Sequence, residues 1–400
     1  MIRKLITLLL APLWLAAEDW PQFRGPHHDG ISREKNWLTD WPEEGPKRLW
    51  EAQVGIGFSS VVVADGRVYT LGHAKGKEVL HCLDAGTGRA LWKHEWASDL
   101  GAKFYIGGPG STPTVHEGRI YVAGKWGEVL CLAAKGGQVD VVWKRQLAKE
   151  EKVRVPTWGF NGSPLVLGDR LLLNAGAAGV ALDLKTGKTL WKSADGEAGY
   201  ATPLPVPLGG QPHVIVSSGR AYAAVRVADG REAWSLRWFT RYGVNAADAI
   251  VDGDQVFVGS GYRKGCGLYK IGAELTGVWK NKNLSTQMNA AVKLGDYLYG
   301  FDGDSGDPGK LRCVSWKTGE VAWEHATGFG ALTAADGRLL VLTGAGALMT
   351  APATPKGFTP TGRARVLDKD CWTAPVLANG LLYCRNSKGH LVCLDLRRGQ

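Results

Sequence analysis

The chain has 400 residues, 55 of them Gly and 17 Trp, and a formal net charge of +10 at pH 7. Gly at this level is roughly twice ordinary usage, which suits an all-β chain of short strands and tight turns rather than a helical one. The basic balance does not point to nucleic acid, because Lys and Arg are scattered over turns, as at Lys185, Lys188 and Lys317, and form no cluster.

At the N-terminus, Arg3 and Lys4 precede an apolar stretch, residues 5–17, that is too short to span a bilayer and suits a signal-peptide core. Leu15-Ala16-Ala17 supplies small residues for cleavage, which predicts a mature start near Glu18 and, with Arg3 and Lys4 lost from the chain's +10, a net charge of +8. The first Cys is Cys82, so no thiol stands at the cleavage point to receive lipid. The reading is export to the periplasm or the medium, with no membrane span. Residues 18–45 form an N-terminal extension, in which His27 and His28 point apart if extended and read as surface residues.

From residue 46 the chain repeats. Trp50, Trp92, Trp143, Trp191, Trp234, Trp279 and Trp323 recur at intervals of 42 to 51 residues, the mark of a tandem array. Between them the sequence alternates with period two and breaks at Gly-bearing turns, as in Ala64-Asp65-Gly66-Arg67-Val68-Tyr69, which is a strand and hairpin pattern. Each copy then reaches a form such as Leu83-Asp84-Ala-Gly-Thr-Gly88 or Leu182-Asp183-Leu-Lys-Thr-Gly187 before a fourth strand that carries the Trp. Four strands and three tight turns make one propeller blade. The eighth copy, residues 373–400, lacks its Trp strand, and residues 46–54 have the pattern to supply it. The sequence therefore predicts an all-β, monomeric, eight-bladed β-propeller over residues 46–400, built of four-stranded antiparallel blades and closed by pairing an N-terminal strand with the last blade. Blade seven is the weakest copy, since residues 363–366 replace its Trp strand and a Pro-rich stretch, 351–360, interrupts its third strand. Trp191 closes the cleanest copy and is expected to dock between neighbouring blades.

Cys82, Cys131, Cys313 and Cys393 share a slot late in the third strand, where Cys acts as a small buried hydrophobe. Cys384 and Cys393 fall opposite one another when blade eight is folded about Lys388-Gly389, a candidate cross-strand disulfide. The spacings contain no Cys-x-x-Cys, hence no zinc site. Gly-x-Ser-x-Gly, Walker, dinucleotide-binding and His-Glu-x-x-His motifs are absent from the sequence, and the Asp-rich runs 252–254 and 302–307 read as turns.

Propellers place function on the loops at one end of the channel. Counting back from each second strand, one inner-strand position holds Ser59, Ser111, Gly162, Ala201, Ala246, Asn289, Gly330 and Thr373, mostly small. The position before it holds Phe58, Gly110, Asn161, Tyr200, Asn245, Met288, Phe329 and Trp372, a ring of aromatic and amide groups at the mouth. Trp158, Arg241 and Tyr242 lie in adjoining loops. Flat apolar faces beside amides suit a planar or sugar-like ligand. The alternative is that these aromatics plug the channel and brace the blades.

The pattern Leu-Asp-x-x-Thr-Gly-x-x-x-Trp, at residues 83–92 and 182–191, resembles the Trp-docking repeat of the quinoprotein-dehydrogenase-like, or pyrroloquinoline-quinone-like, propellers. The segment Asp19-Trp20-Pro21-Gln22-Phe23-Arg24-Gly25-Pro26, followed by Asp29-Gly30, is similar to the opening of exported bacterial members. The resemblance spans nearly the whole chain and implies the propeller fold. It leaves activity divided between quinone-dependent dehydrogenases and the non-catalytic, BamB-like propellers. The family's catalytic members carry adjacent Cys residues against the cofactor, a calcium held by Glu, Asn and Asp, and a catalytic Asp. This chain has no Cys-Cys dipeptide, and Asp195, Glu197, Asp368 and Asp370, which lie in segments approaching the upper face, read as turn residues. It also lacks the lipid-attachment Cys of the assembly lipoproteins. The expected function is a non-catalytic binding or scaffold module, without a cofactor, for a protein partner or a small ligand. The rival is an alcohol or sugar dehydrogenase using pyrroloquinoline quinone with calcium.

Overall fold

A computed structural model describes residues 18–135, 137–272, 274–305 and 308–398. Residues 1–17, where a signal peptide is expected, and Asp307 lie outside them. The chain folds as an eight-bladed propeller of antiparallel blades, each running from an inner strand to an outer one. In blade one these are Val62–Ala64, Arg67–Ala74, Lys77–Asp84 and Ala90–Ala97. The inner three strands are nearly all buried while the outer one alternates, because only its inward face meets a neighbouring blade. The first hairpins close on pairs such as Asp65-Gly66, with φ of 51° and 69°, and Asn379-Gly380, with φ of 57° and 71°; two positive φ values are what a right-twisted two-residue hairpin requires.

The Asp-x-x-Thr-Gly motif has a double role. Asp84 Oδ1 accepts from the Thr87 N–H at 2.9 Å and hydroxyl at 2.7 Å, which fixes the turn, and Asp183 does the same for Thr186. The Gly that follows is the landing pad for the Trp of the preceding blade. A Cβ on Gly88, Gly187, Gly230 or Gly319 would stand 2.5 to 2.7 Å from ring atoms of Trp50, Trp143, Trp191 or Trp279. The indole N–H of each of these Trp residues donates to a carbonyl of the same turn, at 2.8 to 3.2 Å. Among the described residues Trp234 has no such acceptor for its indole N–H, and the following blade lacks the Thr-Gly pair at residues 271–276.

Arg48–Gln53 pairs with His390–Asp395, Trp50 opposite Cys393, so blade eight is completed by the N-terminal strand. In blade seven the third strand, Ala347–Pro352, is continuous, and the Pro-rich residues follow it as the link to Gly362–Arg365. The disulfide expectation fails by one residue of register. Tyr383, not Cys384, lies opposite Cys393, while Cys384 faces Val392. Successive strand residues point to opposite faces. Cys384 accordingly packs into the core between blades seven and eight and Cys393 into that between blades eight and one, both free.

Residues 18–45 are woven into the ring. Trp20 exchanges backbone hydrogen bonds with Val63 of blade one, and Pro21 accepts from Val115 of blade two. Ile31–Ser32 adds a parallel strand to Gly330–Ala335 of blade seven, and the Glu34 carboxylate accepts from Asn379 and Gly380 of blade eight. This segment crosses the channel at the end opposite the mouth. Among the described residues no helix is long and apolar enough to cross a membrane.

Candidate functional site

An arc of hydrogen bonds stitches the inner strands together just below the mouth. The backbone N–H of Ser60 donates to Thr112 Oγ1 (2.9 Å), that of Thr112 to Ser163 Oγ (3.0 Å), that of Ser163 to Thr202 Oγ1 (3.1 Å) and that of Thr202 to Asp248 Oδ1 (2.8 Å). Equivalent residues of blades one to five are thus aligned, and the mouth position lies two residues before each. In blade five that position is Ala246, not Asn245. The turn here reads Gly253-Asp254, as Gly168-Asp169 and Gly295-Asp296 do in blades three and six, and counting back from its second residue as in those blades gives Ala246. Asn245 is buried behind the wall, where it donates to Ser218 O (2.9 Å) and Trp238 O (2.8 Å) and accepts from Ser260 Oγ (2.9 Å).

The mouth opens into a chamber of about 300 Å³. Of the residues singled out from sequence, Phe58, Trp158, Asn161, Tyr200, Met288, Asn289 and Trp372 line it. Phe58 and Trp372 stack at 5.2 Å and 21°, and Trp158 meets Tyr200 edge-on at 5.8 Å. Phe329 stands behind Trp372, edge to face at 6.1 Å. Arg241 is outside the lining and covers the half-exposed Tyr242 ring at 5.3 Å. The sequence reading missed Phe23, Phe104, Tyr105, Asp248, Tyr262 and Gln287, which also line the chamber. Phe104 and Tyr105 sit on the long connection between blades one and two, and the only hint of it was that the Trp92 to Trp143 interval is the widest, 51 residues.

Two buried charges organise the walls. Lys125 donates to Tyr105 Oη, to Gly108 O (3.2 Å) and to Trp158 O (2.8 Å), clasping the loop that carries Phe104 and Tyr105 to the loop that carries Trp158. Burial lowers its ammonium to about 8 against the pull of Glu78 and Asp99, and burial pushes Glu78 up to about 7 although its carboxylate accepts from the Lys125 N–H. At the floor, Arg24 comes up from the N-terminal segment to lie 3.9 Å from Asp248. Its guanidinium donates to His28 O, Asp29 O, Ala290 O and Ala291 O at 3.0 to 3.3 Å, bracing blade six where the Ser/Thr arc has given way to Ala. Burial pushes Asp248 up to about 6, opposed by Arg24 and the Thr202 N–H. Glu197 accepts from Thr157 and lies off the chamber lining, and Asp302 is engaged by Arg312 at 2.8 Å and the Ser285 N–H at 2.7 Å. Chemically the site is a cup, closed below by Phe23 and the Arg24–Asp248 pair, walled by rings, with amides and hydroxyls between them.

A family profile described as outer membrane protein assembly factor BamB matches residues 75–325, more than half of the chain. The outer membrane protein assembly factor BamB of Burkholderia pseudomallei (strain K96243) is 27% identical over 316 residues, 65% of this chain and 77% of that protein. The quinohemoprotein alcohol dehydrogenase ADH-IIG of Pseudomonas putida is 29% identical over 140 residues, 33% of this chain and only 18% of the dehydrogenase. The crystal structure of quinohemoprotein alcohol dehydrogenase from Comamonas testosteroni matches 96% of this chain and 81% of its own with a TM-score of 0.70, at 13% identity, a likeness of fold.

Proposed function

The chain belongs to the PQQ-like β-propeller family of outer membrane protein assembly factor BamB, and from that premise we propose that it is an exported, non-catalytic binding module whose site is the channel-mouth chamber. The observation that carries this reading is the closed floor: with residues 20–32 across the far end, the channel is a cup rather than a pore, and a cup lined by Phe58, Trp158, Tyr200 and Trp372 has the apolar walls and few polar groups of a small-ligand site. A small planar or sugar-like ligand, or an aromatic tip presented by a protein partner, fills such a space.

The test compares the unaltered mature chain with a variant carrying Asn161→Ala, Tyr200→Ala and Trp372→Ala, by pull-down from exported extract and by thermal-shift screening of ring compounds. Loss of binding with a modest fall in melting temperature is expected. Retained binding together with unfolding by each single substitution means that the ring is a plug, and the site must then be sought on the outer loops.

The segmental likeness to quinohemoprotein alcohol dehydrogenase ADH-IIG motivates a second reading, a quinone-dependent oxidoreductase. The chamber residues fit that cofactor poorly. Pyrroloquinoline quinone bears three carboxylates, yet among the described residues the lining holds no Lys or Arg and does hold the carboxylate of Asp248. Arg24 engages Asp248 from below, outside the lining. Titration with the quinone and calcium, followed by reduction of an artificial dye with alcohols and sugars, is expected to give neither binding nor turnover.

A further inference from the structure

The amide groups of the chamber have a fixed polarity. Asn161 Nδ2 donates to Trp158 O (3.1 Å) and Gly159 O (3.2 Å), and Asn289 Nδ2 donates to Gly330 O (3.2 Å) and Trp372 O (2.9 Å). Turning either amide over would set its oxygen against two carbonyl oxygens, so the assignment follows from the network itself. Both Asn Oδ1 atoms are left as acceptors with no donor among the described residues. Gln287 makes one bond at each end, its Nε2 donating to Tyr262 Oη (3.0 Å) and its Oε1 accepting from the Ser305 N–H (2.7 Å). Asp248 uses Oδ1 for Thr202, while its Oδ2 stands too far from Arg24 for a hydrogen bond. The fixed acceptors still available are Asn161 Oδ1, Asn289 Oδ1 and Asp248 Oδ2, and the indole N–H groups of Trp158 and Trp372 are fixed donors in the same lining. Rotatable donors are added by the hydroxyls of Ser163 and Thr202, whose oxygens already accept backbone N–H groups, and by that of Tyr200.

We infer that the chamber is a site for a neutral, polyhydroxylated ring, a pyranose sugar, whose hydroxyls donate to these acceptors and accept from these donors while its C–H faces lie on the rings of Phe58, Trp158 and Trp372. This rests on the channel-mouth reading given above. Hydroxyls donate to Asn161, Asn289 and Asp248 and accept from Ser163 and Thr202, so both polarities are satisfied by one functional group. A planar ligand edged only with carbonyls or carboxylates leaves Asn161, Asn289 and Asp248 without donors, and each unmet buried acceptor costs affinity. An organic cation suits an aromatic cage, but the one carboxylate here already has the Arg24 guanidinium beside it. The volume, about 300 Å³, is at the small end of the range for ligand sites and suits a mono- or disaccharide.

The experiment uses the unaltered mature chain and three probe classes in saturation-transfer NMR and calorimetry: glucose, galactose, N-acetylglucosamine and maltose; anthraquinone-2-sulfonate; and benzyltrimethylammonium. At least one saccharide is expected to bind, to weaken by about tenfold on loss of a single hydroxyl in a series of deoxy analogues, and to lose binding with Asn289→Leu or Trp372→Ala. The deoxy series needs no altered protein, so it decides the matter even where a variant folds poorly. Binding of the sulfonate or the ammonium, abolished by Trp372→Ala and without any saccharide, overturns the sugar inference and leaves the chamber standing. Saccharide binding that ignores both substitutions and every deoxy position places the sugar elsewhere and overturns it too. If no probe depends on Trp372, the chamber reading itself falls.

Discussion

Gly230→Ala isolates the contact that sets the repeat. The residue has φ +72°, and an added Cβ would lie 2.6 Å from Cε3 and 2.9 Å from Cδ2 of Trp191, closer than carbon atoms pack. The left-handed backbone costs a non-Gly residue roughly 1–2 kcal/mol wherever it occurs. Moving the indole adds the loss of its hydrogen bond to Val227 O, at 2.8 Å, worth about 1 kcal/mol, and of its packing, about another 1 kcal/mol for a half-buried ring. The expected total is about 3 kcal/mol. Gly253→Ala is the control, because its φ of +56° carries the same backbone cost while nothing lies within 4 Å of the added carbon, so about 1 kcal/mol is expected there. Trp191→Ala should cost about 2 kcal/mol rather than the 3–5 of a fully buried Trp, and in its background Gly230→Ala should fall to the control value. Urea midpoints at constant m-value read all four proteins. Equal costs for Gly230→Ala and Gly253→Ala, or strict additivity with Trp191→Ala, would refute the docking argument.

Deleting residues 46–54 leaves His390–Asp395 as an open edge and takes Trp50 from the Gly88 turn, so aggregation or a large fall in melting temperature is expected; an unchanged transition refutes closure by this strand. Stability against pH should be nearly level between about 4.5 and 6, because four buried groups oppose one another in pairs. Glu78, raised from 4.5 to about 7, and Asp248, raised from 3.8 to about 6, both chiefly by burial, bind protons more readily folded than unfolded, so their terms fall as pH rises. His28 and His81, lowered from 6.5 to about 4 chiefly by burial, give terms that rise over the same window. Glu78→Gln removes one falling term: the variant should gain about 3 kcal/mol on its parent above pH 7 and lose that gain by pH 4.5, whereas a pH-independent difference in urea midpoints would sink the assignment.

What the sequence disclosed and what it hid divide along a physical line. Trp191, Gly230 and the Asp183-Thr186 turn recur because each blade must meet its neighbour in the same way, so a local contact repeated around the ring becomes a period in the chain. Closure by Arg48–Gln53 was legible for the same reason, as a missing member of the period, and so were Phe58, Asn161, Tyr200 and Trp372, which occupy one register position. The errors at Asn245 and Cys384 are single-residue slips, and each is decisive because a strand misplaced by one turns every side chain to its other face. The floor was illegible for a different reason. Arg24 and Asp248 meet across the channel axis from segments far apart in the chain, once per molecule, and a contact made once leaves no period. Nor does composition betray it, because Arg24 is one cation among 48 Lys and Arg, and Asp248 resembles a turn acid until its burial is known. Repetition therefore encodes the ring, which any member of the family needs, while the features that close this chamber and set its polarity lie in the unrepeated residues, and it is there that one propeller of this kind departs in function from another.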